Sequence, residues 1–313
     1  MNSGLVAIGL TTLDVVARPV DELTHKERAT LIEAIACAPA GTAAGAALVA
    51  AKLGVQVRLA GAVGDDMIGG FVRLGLERTG VDTSLLVTRA GQRTSTTMLA
   101  VESDGTRSSY HMAGAGGAPP VDDEVVEAVR AARFVHYAAV GCHSTDGGPG
   151  AAILMAAKKA GAIVTCDLIG PRPTAVQEIE RLLPFIDYFM PSAAEAVFLS
   201  GAEDLALAAD WFIEKGAGAC VIKNGRRGAL ATLEGRRHVV PAFAVEPVDT
   251  TSCGDSFCAG FIAALDRGWS PLDACRFASM TAGLVASGVG TLGALVGFEE
   301  TVAAMQAYPV ADN

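Results

Sequence analysis

Apolar residues along this chain follow two rhythms. Short β-branched or apolar runs occur at 5–10 (LVAIGL), 57–64 (VRLAGAVG), 132–140 (ARFVHYAAV), 162–168 (AIVTCDL), 188–192 (YFMPS) and 218–225 (GACVIKNG). Their length and lack of alternation suit strands buried on both faces. Between them, 43–54, 148–161 and 206–216 carry apolar residues at helical spacing, and each ends in or just before Gly, a helix stop signal. The alternation is that of βαβ units. It predicts an α/β fold: a doubly wound, mostly parallel sheet flanked by helices.

Two segments interrupt this rhythm. Residues 11–36 follow the first strand without a helix pattern, and 93–114 (RTSTTMLAVESDGTRSSYHMAG) are rich in Thr and Ser, reading as two strands around the turn SDGT. Together, at about 11–38 and 93–114, they predict a small β-lid on a single domain spanning 1–313; the alternative is an ordinary edge hairpin.

Composition narrows the function. The chain has 313 residues and 51% hydrophobic content carried mostly by Ala, Val and Leu, which suits strands covered by Ala-rich helices. A net charge of −10 argues against nucleic acid, whose binding needs clustered Lys and Arg. There is no apolar run of roughly eighteen residues and no basic leader with a cleavage site, so no membrane partner and a cytoplasmic location are expected. The seven cysteines are scattered and lack a CxxC pair, which suits small buried residues better than a disulfide framework or zinc site. A small-molecule partner remains.

The chemistry concentrates at 248–261, VDTTSCGDSFCAGF. Residues 236–249 read as strand and turn, and Phe257, Phe261, Ile262 and Leu265 share one face of a helix beginning near Ser256. The first amides of such a helix have no intrahelical partner, and small Ser252, Cys253 and Gly254 let an anion approach them. By itself Asp255 reads as a helix N-cap. Beside an anion cradle, it also reads as a carboxylate that takes a proton from an attacking hydroxyl. A Rossmann oxidoreductase is disfavoured: its G-x-G-x-x-G must directly follow the first strand, where this chain has LTTLDVV.

The stretch DTTSCGDSFCAGF resembles the D-T-x-G-A-G-D signature of the ribokinase-like (PfkB) sugar and nucleoside kinases, with Ser252 and Cys253 at the positions usually held by Gly and Ala. The resemblance spans nearly the whole chain. It implies that Asp255 is the general base and that Ser252, Cys253 and Gly254 form the anion hole. LVAIGLTTLDVVAR (5–18) resembles the family's first strand, which places Asp14 on substrate hydroxyls. Residues 39–84 resemble its N-terminal signature, with Gly41 in the usual Gly-Gly pair and Gly45 where an Asn usually contacts substrate. CDLIGPR (166–172) resembles D-x-N-x-R and puts Asp167 and Arg172 near the phosphates; MPSAAEAVFLSG (190–201) resembles P-N-x-x-E, with Glu195 organising magnesium through water. VIKNGRRGAL (221–230) resembles the nucleotide-binding K-x-G-x-x-G, matched by Lys223, Gly225 and Gly228, and Thr250 is assigned to the same nucleotide. ASGVGTLGA (286–294), with Asp249 and Thr251, resembles the loop that holds a monovalent cation, potassium being one candidate.

The implied activity is ATP-dependent phosphorylation of a hydroxyl on a sugar or sugar-like substrate, with magnesium. A nucleoside kinase is the alternative, with Phe134, Tyr137, Tyr110 and His111 as candidate base-stacking groups; a catalytically reduced sugar-binding protein is the other. Lys26, Arg28, Arg93 and Arg107 read as a solvated edge or as a recogniser of an anionic substituent. Open lid edges predict a homodimer formed through the lid. A Cys253 thiol beside the transferred phosphate predicts sensitivity to alkylation.

Overall fold

The structure is a computed structural model that describes residues 3–22, 27, 29–170 and 172–311. In chain order its elements are β1 (Leu5–Gly9), β2 (Thr12–Arg18), β3 (Ala34–Ala40), α1 (Thr42–Lys52), β4 (Val57–Gly64), α2 (Met67–Arg78), β5 (Leu86–Arg89), β6 (Thr96–Val101) and β7 (Arg107–Met112). There follow α3 (Asp123–Ala131), β8 (Phe134–Val140), α4 (Pro149–Lys159), β9 (Ile163–Leu168), α5 (Pro173–Leu182), β10 (Tyr188–Phe189), α6 (Ala193–Ser200) and α7 (Leu205–Glu214). The chain closes with β11 (Ala219–Lys223), β12 (Ala229–Leu233), β13 (Arg236–Val240), α8 (Cys253–Asp266), α9 (Pro271–Ala286) and α10 (Phe298–Ala307). Among the described residues, no helix is long and apolar enough to cross a membrane.

The large sheet has nine strands in the order β13-β12-β11-β10-β9-β8-β1-β4-β5. Pairing is parallel from β5 to β11 and antiparallel from β11 to β13. Every residue of β1 and β8 is buried, which is why these strands read as unbroken apolar runs. One core lies against α1, α8 and α9, and a second, built around Val135, Leu154 and Phe212, lies beneath α3 to α7. From β1 the strand order runs one way to β4 and the other to β8, so the carboxyl ends of these strands border a crevice, where ligands of doubly wound sheets bind. The N-terminus of α8 opens there.

A second sheet, β3-β2-β6-β7, stands apart from the first. Residues 93–114 therefore join β2 and β3 rather than forming an edge hairpin on the main sheet. Register places Asp14, Thr97 and His111 on one face, with Arg107 two and four residues before Ser109 and His111 on the same strand. The opposite face carries Ile35, Cys37, Val15, Met98, Tyr110 and Met112. The chain passes between the two sheets at 10–11, 41, 94–95 and 113–114, and these passages are stitched together. Ser95 O accepts from Leu13 N at 2.9 Å, while Ser95 Oγ accepts from Gly114 N and Gly116 N at 3.0 and 3.1 Å. A Cβ on Gly41 (φ 101°) would lie 2.5 Å from Leu10 O, and one on Gly114 would lie 2.3 Å from Arg93 O.

Candidate active site

The site is built on the loop before α8. Asp249 is wholly buried. Its Oδ1 accepts from Thr251 N at 2.9 Å and Thr251 Oγ1 at 2.6 Å, and its Oδ2 accepts from Gly290 N at 2.9 Å. The loop is thereby tied to the segment after α9. It then turns through Ser252, which holds left-handed backbone angles (φ 56°, ψ 12°) and is the N-cap without a side-chain capping bond. The helix starts at Cys253, three residues before the start expected from apolar spacing, so Asp255 is its third residue and not its N-cap. That shift matters chemically. The carboxyl sits within the first turn, beside amides that have no intrahelical acceptor.

Four charged side chains from four elements meet here. Lys223 Nζ, at the end of β11, donates to Asp167 Oδ2 of β9 at 2.5 Å, and Cys258 Sγ donates to the same oxygen at 3.4 Å. Burial pushes the Asp255 carboxyl well above the usual carboxylate range, Asp167 adds to that shift, and Lys223 and a hydrogen bond with Ser252 draw it back. Glu195 is raised in the same sense, by burial and then Asp167. Its Oε2 accepts from both Ser192 N and Ser192 Oγ at 2.7 Å, the capping box that starts α6. For Lys223, burial opposes the charge, but Asp167, Cys258 and Glu195 outweigh it, so the ammonium is held above its ordinary value.

Gly45, in α1, faces this group directly. A Cβ there would stand 3.0 Å from Asp255 Oδ2 and 3.3 Å from Ser252 Oγ. The space of a side chain at 45 is taken by the Asp255 carboxyl itself.

The lid closes the other side. Arg107 Nη1 donates to Thr250 Oγ1 at 2.6 Å, bringing β7 against the loop before α8. Asp14 is 8% exposed, and its Oδ1 has no hydrogen-bond partner. Burial raises its carboxyl to about 6, while Thr97 and Arg107 work in the other direction. A buried acceptor left without a donor is costly unless a ligand supplies one.

Other expected site residues lie further out. Gly225 and Gly228 form the turn between β11 and β12, both at positive φ, and reach the cluster through Lys223 at the strand end. Arg172 is an exposed N-cap residue of α5. Gly41 is the N-cap of α1 and sits in the seam between the sheets. Two of the proposed stacking groups are out of reach, because Phe134 and Tyr137 are fully buried in the cores on either side of β8. Tyr110 points to the outer lid face, leaving His111 inward, where its Nδ1 is 3.1 Å from Thr97 Oγ1. Arg93 is exposed, and Lys26 and Arg28 lie outside the described residues. Burial pushes the Cys253 thiol up to about 12, so it is not a ready thiolate at neutral pH. Reading along the chain did not connect Arg107 to Thr250 or place Cys258 beside Asp167; only the fold brings these pairs together.

The profile of the pfkB family carbohydrate kinase matches residues 2–295. The chain belongs to this family. It is therefore a phosphotransferase acting on a hydroxyl group. Among its relatives, this kinase is 27% identical to the ribokinase of Haemophilus influenzae, over 84% of this chain and 85% of that one. It is 29% identical to the nucleoside kinase of Methanothermobacter thermautotrophicus (92% and 90%) and 31% identical to the ATP-dependent ribose-1-phosphate kinase of Halopiger xanaduensis (83% and 83%). The fold is shared with the Arabidopsis thaliana ribokinase solved with ribose and ATP, at TM-score 0.81 and 24% identity over 98% of this kinase and 99% of that chain.

Two outcomes follow from this geometry. Asp249→Ala leaves three donors unanswered, two on Thr251 and one on Gly290, and urea unfolding should show a loss of about 2–4 kcal/mol. The Asp14 carboxyl titrates near 6 in the folded chain against an ordinary 3.8, so the stability gained from its bound proton is complete below about pH 4 and lost as pH rises through about 6. Asp14→Asn should then raise unfolding stability at pH 8 by about 1–3 kcal/mol and give no gain at pH 4.

Proposed function

We propose that this kinase transfers a phosphoryl group from ATP to a hydroxyl of a sugar or sugar-like acceptor bound between the lid and the start of α8. The observation that carries this reading is the Asp255 carboxyl in the first turn of α8, together with the buried Asp14 Oδ1 on the lid, which has no hydrogen-bond partner. Asp14 would hold acceptor hydroxyls, and Asp255 would take the proton from the attacking one. A raised carboxyl suits that role, since a base works best when its pKa approaches the working pH. The amides from Ser252 to Asp255 would hold the transferred group as its charge spreads.

Magnesium fits the donors present. Among the described residues, no three His, Cys, Asp or Glu side chains are grouped to hold a metal directly; magnesium bound through water and phosphate oxygens needs no such cage. Glu195 and Asp167 would orient that water, and the ion would neutralise charge on the phosphates. The Asp249 and Thr251 side chains already bond to each other and to Gly290 N after α9, and the reading invokes no monovalent ion.

Acceptors with a base remain the second reading, on the strength of His111 on the inner lid face and the nucleoside kinase among the relatives. A screen with ATP and magnesium across pentoses, hexoses, keto-deoxy acids, sugar phosphates and nucleosides should find turnover. In that assay Asp255→Asn should lower kcat by about 10²–10⁴-fold with no loss of folding stability. Full activity in that variant overturns the role of Asp255.

The outer lid face is the basis for a homodimer of this cytoplasmic enzyme. Ile35, Met98 and Tyr110 are 69, 51 and 54% exposed there, an apolar grouping that a second copy of the lid would cover. Sedimentation velocity should give a dimer, and Met98→Glu a folded monomer. A monomeric wild type removes the proposal.

A further inference from the structure

Lys223 stands where no step of the reaction above employs it. Its Nζ is 2.5 Å from Asp167 Oδ2 and 3.7 Å from Cys258 Sγ, and the Lys223 and Asp167 side chains are 11 and 5% exposed. The ammonium is thus clamped beneath α8 and not extended toward solvent. A Cβ built on Gly254 would lie 3.3 Å from Lys223 Nζ and 3.9 Å from Cε. The charge therefore sits directly behind the second residue of the helix, on the flank where a side chain at 254 would project. Gly254 has no left-handed φ; its lack of a side chain serves the neighbouring ammonium, not the backbone.

We propose that Lys223 is a positioning residue for phosphoryl transfer: clamped by Asp167, it sets a fixed positive charge behind the anion hole at Gly254 and Asp255. This rests on the kinase reading above and assigns Lys223 a role other than direct nucleotide contact. A helix N-terminus carries only about half a unit of charge, spread over its free amides. The Lys223 ammonium strengthens the same field from the Gly254 side, with Asp167 offsetting part of it at Asp255, and because it is locked in place it needs no rearrangement when charge arrives. The charge of the transferred group is drawn out over its equatorial oxygens during transfer, so the benefit belongs to the transition state more than to bound ATP. Lys223 also faces Glu195 and Asp255 besides Asp167, and it offsets part of the repulsion that these carboxylates exert on an incoming phosphate. Its neighbours in the turn, Gly225 and Gly228, leave backbone free for the nucleotide.

The test compares Lys223→Met with wild type using the best acceptor from the screen. Expected is a kcat lower by about 10- to 100-fold with the KM for ATP within about threefold. A second readout is the binding of ADP and magnesium with and without aluminium fluoride, a mimic of the group in flight. The affinity gained on adding fluoride should shrink by a similar factor while ADP binding itself is kept. Lys223→Met leaves Asp167 buried without its partner, so Asp167→Asn/Lys223→Met, which removes both charges, covers the case of a variant that does not fold. This double variant should remain about 10- to 100-fold slower than Asp167→Asn alone. Equal rates for those two, an unchanged kcat in Lys223→Met, or a KM for ATP raised tenfold or more at constant kcat each overturn the inference. A wild type that binds no ATP with magnesium overturns the kinase reading itself.

Discussion

A single buried carboxylate holds the candidate site in shape. Asp249 has no contact with water, so both of its oxygens must be answered by the protein. They are answered by Thr251, before α8, and by Gly290, after α9, residues 39 apart in the chain. That arrangement forces the turn through Ser252 into a conformation few non-glycine residues adopt, and the turn in turn aims the first amides of α8 into the crevice. The position of Asp255 inherits its accuracy from this anchor. Lid and sheet meet at the same place, since Thr250, next to Asp249, receives Arg107.

Around that anchor the charge balance is lopsided. Asp14, Asp167, Glu195 and Asp255 gather where an anionic substrate is expected, and Lys223 is buried among them. Such a cluster repels phosphate until cations enter. Burial is the main reason that the carboxyls of Asp14 and Asp255 sit high, and the neighbouring carboxylates add to it. The glycines fit the same logic. Gly45 faces a carboxyl and Gly254 an ammonium, so each marks a place where a charged side chain, and not a bend in the backbone, crowds a Cβ.

Much of this was legible in the chain before its fold was known. The strands β1, β4, β8 and β9 stood out because burial on both faces leaves few polar residues in them, and the lid stood out because it is rich in Thr and Ser. The start of α8 was misjudged by three residues because Cys253, Gly254 and Asp255 carry no apolar period. Phe134 and Tyr137 looked available as aromatic surfaces, yet a strand with two buried faces hides its rings by the same rule that made it recognisable. The pairing of Lys223 with Asp167 spans 56 residues, and that of Arg107 with Thr250 spans 143. Neither leaves a local pattern, because their meeting is set by strand order in two sheets.

The seam between those sheets has a different consequence, for how variation in this chain should be interpreted. Four passages of backbone are packed there so closely that Gly41 and Gly114 each have a carbonyl oxygen where a methyl group would go. Changes at these positions would misalign the lid and abolish turnover without removing a reacting side chain. A map of inactivating substitutions would therefore outline two things at once, the chemistry at α8 and the joint that carries the lid. Only loss of alignment, as opposed to loss of a reacting group, tells them apart.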